Sequence, residues 1–402
     1  MTEPLIVYNA RAILANEVVE LAGVLVDGSI SAVLDSQDAC ANEIDNGATS
    51  IDAAGAFVMP GVVDLHNDAL EFEVNPRPGA SLPLPFAFDN LERRLTAAGI
   101  TTEFHAVAFM DRPKDKRSVE IGVERAAFIA SVQQSRPRAV DHQILHRIDV
   151  WHPHALDAVF ASLGDLAVRY ASLNDHTPGQ GQYRDLQRFF AMRESDGDAR
   201  GEAEIYQRMQ ARASDVETVP YVHRRVAAAV GELGLVLATH DDDFIEKVDA
   251  QCAIGASVNE FPVTVEVAQH ARERGMSLVV GAPNIVRGGS QSGNLAASEL
   301  LTRGLADVIC ADYHAPSILA AAFKVFESGW ATLPEAVRMV TLNAARAVRL
   351  HDRGALQPGL RADLIVVDVD EGGFPHVRAS ILDGRRVFAY QPGAPARLLA
   401  SV

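Results

Sequence analysis

Eight short apolar runs recur between residues 58 and 313, each about one β-strand long and separated from the next by segments patterned as helices. They are VMPGVVDLH (58–66), TTEFHAVAF (101–109), HQILHRIDV (142–150), LAVRYASLND (166–175), LGLVLATHD (233–241), ASVNEFPV (256–263), SLVVGAPN (277–284) and DVICADY (307–313). The intervening segments repeat apolar residues with a period near 3.6, as in FDNLERRLTAAG before the second run and SGNLAASELLTRGLA before the eighth. Strands alternating with helices point to parallel neighbours joined by crossovers rather than to hairpins. Eight of them predict a (β/α)8 TIM-like barrel.

The two ends of the chain read differently. LIVYNARAIL and GVLVDGSISAVL near the start, and RADLIVVDVD and ASILDGRRVFAY near the finish, are β-branched and carry hairpin dipeptides at Asp27-Gly28 and Asp383-Gly384. The termini are therefore expected to form together one small β-sandwich domain. The predicted division is 1–57 and 351–402 for that domain and 58–350 for the barrel. One interval, from about Asn174 to Leu233, exceeds a simple crossover. Because it follows a strand, this insertion is expected on the barrel face where active sites sit, as a lid.

With 402 residues, 48% of them hydrophobic, the chain is long enough for such a core. Its 36 basic against 53 acidic residues give a net charge of −17, and the one basic cluster is Arg112 to Arg117. Nucleic acid and anionic membranes are thereby disfavoured as partners. An anionic substrate would have to be neutralised locally by arginines or bound cations. Cys40, Cys252 and Cys310 are odd in number and far apart, which suits a reducing compartment rather than a disulfide framework or a cysteine zinc site. MTEPLIVYNA has an acid where a signal peptide wants basic residues, and no apolar run reaches the roughly 18 to 20 residues that span a bilayer. A cytoplasmic location is expected; a homo-oligomer is compatible with the sequence but not specified by it.

Residues two apart in a strand point the same way, so His66 and Asp68 project together past the first run. His176 follows the fourth run, His240 ends the fifth and Asp312 ends the eighth. A lone histidine at a strand end is more often structural; several histidines and aspartates converging from separate strands are better explained by a metal. Asp149, ending the third run, is the candidate carboxylate to bridge two metals. His152, His154, His105, Glu103 and Glu260 read equally well as hydrogen-bonded supports. Two divalent cations set against Asp68, Asp149, Asp312 and one hydroxide sum to zero charge, which a partly dry cavity tolerates. Metals lower the pKa of bound water to near 7, and Asp312 is the expected catalytic group that orients this water and takes its proton. Mixed histidine and carboxylate ligation suits zinc, with manganese or iron also compatible.

Two segments read as anion grips. In NPRPG (75–79), prolines stiffen a loop carrying Arg77. In GAPNIVRGGSQSGN (281–294), glycines allow close backbone approach, Arg287 offers a bidentate donor, and Asn284, Ser290, Ser292 and Asn294 supply polar groups near a helix start. A plain Gly/Ser helix cap is the structural alternative for the second.

On PGVVDLHND at the end of the first barrel strand, and on the late TLNAARAVRL and GALQPGLRADLIVVD, the chain resembles the amidohydrolase superfamily. Within it, HND followed by NPRPG, AAGITTEFHAVAF, NDHTPGQ, THDD, NEFP, GAPNIVRGGSQSGN and ADYHAPS resemble the PhnM family of phosphonate catabolism through nearly the whole chain. The resemblance implies hydrolysis of alpha-D-ribose 1-methylphosphonate 5-triphosphate to the 5-phosphate with release of pyrophosphate, upstream of carbon–phosphorus cleavage. Such a phosphorylated small molecule fits the requirement for local neutralisation. The chain departs from the usual patterns at Asn67, Ala69, Asp149 (commonly Glu) and Gln291 (more often His), and in pairing His66 with Asp68 rather than a second histidine. Two other readings stay open: a cyclic amide hydrolase or heterocycle deaminase on the same scaffold, which would not need the anion grips, and a non-catalytic barrel.

Overall fold

The structure is a computed structural model that describes residues 3–111, 117–135, 138–165, 167–195, 201–290 and 293–390, without the side chains of 192–195. Residues 112–116 of the basic cluster, Leu166, Gln291 and Ser292 lie outside the described residues.

Eight parallel strands form the barrel: β6 (Val62–Asn67), β7 (Ile100–Phe109), β8 (Asp141–Asp149), β9 (Val168–Asn174), β10 (Val236–His240), β11 (Ala256–Glu260), β12 (Ser277–Gly281) and β13 (Val308–Cys310) in numbering that follows five N-terminal strands. They neighbour one another in sequence order. Such strands are covered on both faces, which is why even the polar positions of β7 and β8 are buried. Val63, Leu65, Phe104, Leu145, Tyr170, Val258, Val279 and Val308 fill the interior. Val62, Val107, Ile144 and Ile309 face outward with the helix residues Leu91, Ile129, Val226 and Ile318. Below, Ala344 and Ala345 of the helix Leu342–Ala347 join the interior cluster and plug the barrel's amino end.

The seam between first and last strands is closed by few bonds. Asn67 and Asp312 form a parallel bridge. The Asp312 amide donates to the His66 carbonyl at 2.8 Å and the Asp68 amide to the Asp312 carbonyl at 2.6 Å. One carboxylate oxygen of Asp64 accepts the amides of Ala311 at 2.9 Å and His66 at 3.3 Å. Asp64 is fully buried there, and burial pushes its carboxyl up to about 7.

The terminal strands β1 (Leu5–Ile13), β2 (Val18–Asp27), β3 (Ser29–Leu34), β4 (Thr49–Asp52) and β5 (Phe57–Pro60) form a separate mixed sheet with β14 (Leu364–Val369), β15 (Pro375–Leu382) and β16 (Arg385–Ala389). β5 joins the two ends, running parallel to β1 and antiparallel to β14. Both expected hairpins are present, with Gly28 between β2 and β3 and Asp383 and Gly384 at positive φ between β15 and β16. The run expected as one strand over 58–66 is in fact two: Phe57–Pro60 belongs to the terminal sheet and Val62–Asn67 to the barrel. Gly61 makes the break, since a Cβ there would stand 2.2 Å from the Thr101 hydroxyl.

Candidate metal centre

The carboxyl ends of the barrel strands open on a cavity of about 620 Å³ whose lining includes His66, Asp68, His176, His240 and Asp312. Sequence reading proposed all five, and the fold brings them together. Among the described residues, three groups of side chains place one ligand atom each within 4.8 Å of the others: His66, His240 and Glu260; His176, His240 and Asp241; His66, Asp68 and Asp312. His66 and His240 are shared, so the groups form one connected cluster. A set of imidazoles and carboxylates without cysteine is the donor chemistry a divalent transition metal takes.

Local backbone geometry delivers these side chains. Asp241, Phe261 and Asp312 follow β10, β11 and β13 with φ of 55°, 56° and 58°, the left-handed region non-glycine residues seldom occupy. Such conformations persist where surrounding structure over-determines them. Gly281 at the end of β12 leaves room for Asp312, as a Cβ there would lie 3.1 Å from its Oδ2. The Phe261 ring meets His66 and His240 edge-on at 5.3 and 5.1 Å, fixing both imidazole planes.

Glu260 is the carboxylate at the centre. It lies 3.1 Å from His66 Nδ1, accepts from the Tyr170 hydroxyl at 3.1 Å and from the Ser172 hydroxyl at 2.8 Å. Burial opposes its charge, but His66, with His240 and the Ser172 hydroxyl, outweighs burial and holds its carboxyl below the usual range. Burial likewise opposes charge on Asp68, yet the Arg147 guanidinium, with His66 and Arg117, brings it down to about 2. Arg147 Nη1 sits 2.8 and 2.9 Å from the two Asp68 oxygens and Nε donates to Asn174 at 3.2 Å. Burial raises Asp312 to about 6 despite His66.

Asp149, read as the bridging carboxylate, is not in any of these groups. Its Oδ1 accepts the Trp151 amide at 2.8 Å and lies 3.3 Å from His152 Nδ1. Arg147, two residues earlier on the same face of β8, reaches the cavity instead. Of the anion grips, Asn284, Arg287, Ser290 and Asn294 line the cavity. The segment runs on to a helix, Ala297–Leu301, as expected, but GAPNIVR also forms a helix of its own, Ala282–Arg287, which ends at Gly288 with φ of 78°. Arg77 is exposed in a bridge with Ala80 and is not part of the lining. The insertion adds Gln182 and Tyr183 to the wall, and Asn294 Nδ2 donates to the Gln182 carbonyl at 3.1 Å. Asp241, Arg147 and Arg117 were not singled out from sequence; the signal for Asp241 was its place after His240 at a strand end.

An eight-stranded parallel barrel carrying histidines and carboxylates at its strand ends, with a terminal β-sheet beside it, is the architecture of the amidohydrolase superfamily. A model of the amidohydrolase family matches residues 324–388. Enamidase, a superfamily member of known structure, superposes with a TM-score of 0.63 at 16% identity, covering 98% of each chain. N-acetylglucosamine-6-phosphate deacetylase from Pasteurella multocida gives 0.63 at 11% identity, over 96% of this chain and 100% of that one. In sequence, the chain is 33% identical over 392 residues to alpha-D-ribose 1-methylphosphonate 5-triphosphate diphosphatase of Escherichia coli (strain K12), covering 96% of this chain and 100% of that protein. Adenine deaminase 2 of Carboxydothermus hydrogenoformans is 30% identical over 132 residues, 31% of this chain and 22% of that one. The chain belongs to the alpha-D-ribose 1-methylphosphonate 5-triphosphate diphosphatase (PhnM) family.

Proposed function

We infer that this chain is a metal-dependent phosphoanhydride hydrolase that converts alpha-D-ribose 1-methylphosphonate 5-triphosphate to the 5-phosphate and pyrophosphate. The observation that carries the reading is that Arg287, Asn284, Ser290 and Asn294 share one cavity with the histidine–carboxylate cluster. A cyclic amide or heterocycle would not use that polar wall, so the deaminase reading is not favoured.

We assign His66, His176, His240, Asp68, Asp312 and Glu260 as the side chains that would hold two divalent ions, zinc first, with manganese or iron compatible. Glu260 takes the place first given to Asp149, which keeps the carboxylate count at three. The ions would supply a water of lowered pKa and offset the triphosphate's charge. Asp312 accepts the proton as water attacks the α-phosphorus and the α–β anhydride bond breaks. Arg287 and the neighbouring donors hold the oxygens of the departing pyrophosphate, where negative charge grows. Phe261 and Tyr170 keep the imidazoles and Glu260 from rearranging. Cys40, Cys252 and Cys310 are all unpaired, in keeping with a cytoplasmic enzyme. No helix among the described residues is long and apolar enough to cross a membrane.

Incubating metal-loaded protein with the ribose triphosphate and following phosphorus resonances tests this. Stoichiometric pyrophosphate is expected. Absence of pyrophosphate, together with an Arg287→Ala variant that behaves like the parent, overturns it.

A further inference from the structure

Tyr170, Ser172 and Asn174 alternate along β9, so their side chains form one column on the inner face of the barrel. All three are fully buried. The first two grip Glu260 on separate oxygens, Tyr170 donating to Oε1 at 3.1 Å and Ser172 to Oε2 at 2.8 Å. The carboxylate cannot turn without breaking one of these bonds. Asn174 donates from Nδ2 to the Ser172 hydroxyl at 3.2 Å and carbonyl at 3.0 Å, and its Oδ1 accepts from Arg147 Nε at 3.2 Å. Arg147 is the register partner of Ser172 on β8, and its Nη1 donates to both oxygens of Asp68.

These contacts make one chain, and every donated hydrogen in it points away from the guanidinium. Arg147 donates to Asp68 at one end and to Asn174 at the other; Asn174 donates to Ser172, and Ser172 to Glu260. Glu260 in turn meets His66, two residues before Asp68, so the chain closes into a ring. Arg147 is 5% exposed and its charge is matched in place by Asp68. A buried ion pair of this kind is a poor source of stability, since apolar side chains of similar volume serve as well. What it supplies here is direction. With Nη1 between the two Asp68 oxygens, one lone pair of each is used and the outward one is left for a cation.

We propose that Arg147 is a positioning residue for the metal cluster, fixing Asp68 directly and Glu260 by way of Asn174 and Ser172. Carboxylates from the first and sixth barrel strands are thereby held at one spacing. Only a forked head reaches both ends of the chain; a lysine, as a point charge, serves one. The proposal rests on the assignment of Asp68 and Glu260 as metal-holding side chains in the hydrolase reading.

The test strips the full chain of metal and reloads it with cobalt(II), whose visible absorption reports coordination geometry, and with zinc in competition with a chelator. Arg147→Gln should weaken retention of both ions about tenfold to hundredfold and change the cobalt spectrum. Arg147→Lys should recover part of the retention, because charge stays beside Asp68 while the bond to Asn174 is lost. Asn174→Ala leaves the Arg147–Asp68 pair in place and cuts the chain, so it should change the spectrum as well, with a loss of about tenfold. Added to Arg147→Gln it should cost less than about twofold more, since the chain is already cut. Should Arg147→Gln fail to fold, Asn174→Ala and Ser172→Ala decide the matter by the same readouts. Parental retention and spectrum in Arg147→Gln or in Asn174→Ala overturns the proposal, as do losses that multiply in the double variant. Parental metal binding with a raised KM would make Arg147 a substrate contact and overturns it too. A parent chain that holds cobalt but releases no pyrophosphate removes the assigned reaction and leaves the positioning role standing, whereas a parent that holds no metal overturns both.

Discussion

The main-chain amide of Asp68 donates to the carbonyl of Asp312 at 2.6 Å, so the first and last strands of the barrel meet at two side chains that also belong to the metal cluster. Barrel closure and site assembly are therefore one event. A substitution that loosens this seam should cost metal as well as stability, whereas substitutions in the outer helices should cost stability alone.

Asp64 gives the most direct test of that coupling. Its buried carboxylate accepts the Ala311 amide across the seam and the His66 amide within its own strand. Asp64→Ala leaves both donors without this acceptor, at roughly 1–3 kcal/mol for each unsatisfied buried group. A loss of about 2–5 kcal/mol in urea unfolding is expected, with metal content per chain reduced under conditions where the protein is still folded. Full metal occupancy in a folded Asp64→Ala protein would separate closure from the site.

Glu260 and Asp149 make opposite forecasts. Glu260 shares a cluster with His66 and His240, while the Asp149 carboxylate is engaged by the Trp151 amide. Glu260→Gln should weaken metal retention at least tenfold in chelator competition, and Asp149→Asn should retain metal like the parent. His240→Ala should lose more metal than His176→Ala, since His240 belongs to two of the clusters and His176 to one. The reverse ranking in either pair argues against this ligand assignment.

How far sequence reached can be seen in these same residues. His66, Asp68, His240 and Asp312 were legible because a parallel barrel presents its strand ends on one face, and alternation says which side chains share a direction. Alternation could not choose between Arg147 and Asp149, which share a face of β8 and differ by two residues of height. Nor could it favour Glu260 over Asp149. That choice depends on which carboxylate the fold brings within reach of the histidines: Glu260 is grouped with His66 and His240, whereas Asp149 is held by the Trp151 amide. Arg77 looked like a grip because prolines stiffen its loop, but stiffness does not tell where a loop points, and Arg77 is exposed outside the cavity lining. The break at Gly61 was hidden because both halves of the run read as strand, and what separates them is long-range pairing, the first half with β1 and β14 and the second with β7.

His146 predicts an acid-sensitive stability that has nothing to do with the metal. The ring stacks on Phe109 at 4.8 Å, Nε2 lies 2.8 Å from the Ser162 hydroxyl, and burial pushes the imidazole down to about 3. In the unfolded chain it titrates near 6.5. The folded pKa is the lower one, so its contribution is whole above about 6.5 and is lost as pH falls from there toward 3. Between pH 7 and pH 5 that amounts to about 2 kcal/mol. Chemical denaturation of His146→Leu should show a pH 7 to pH 5 loss smaller by about that amount, whatever its absolute stability. An unchanged loss would mean the ring is protonated in the fold.

Arg287 tests the polar wall separately from the metal. It ends a short helix, lines the cavity and is not in any of the ligand clusters. If it holds pyrophosphate oxygens in the substrate and in the transition state, Arg287→Ala should retain metal and lower kcat/KM by about tenfold to hundredfold, the value of one charge-assisted contact. Losing a contact that strengthens as the anhydride breaks lowers kcat, whereas losing one that is equal in substrate and transition state raises KM alone. Charge grows on the leaving group during the reaction, so most of the loss is expected in kcat. Arg287→Lys should recover part of it, because the charge remains while the two-pronged geometry is gone. A loss confined to KM would place Arg287 on the γ-phosphate, away from the bond that breaks, and an Arg287→Ala protein with parental kinetics would remove the polar wall from the reaction altogether.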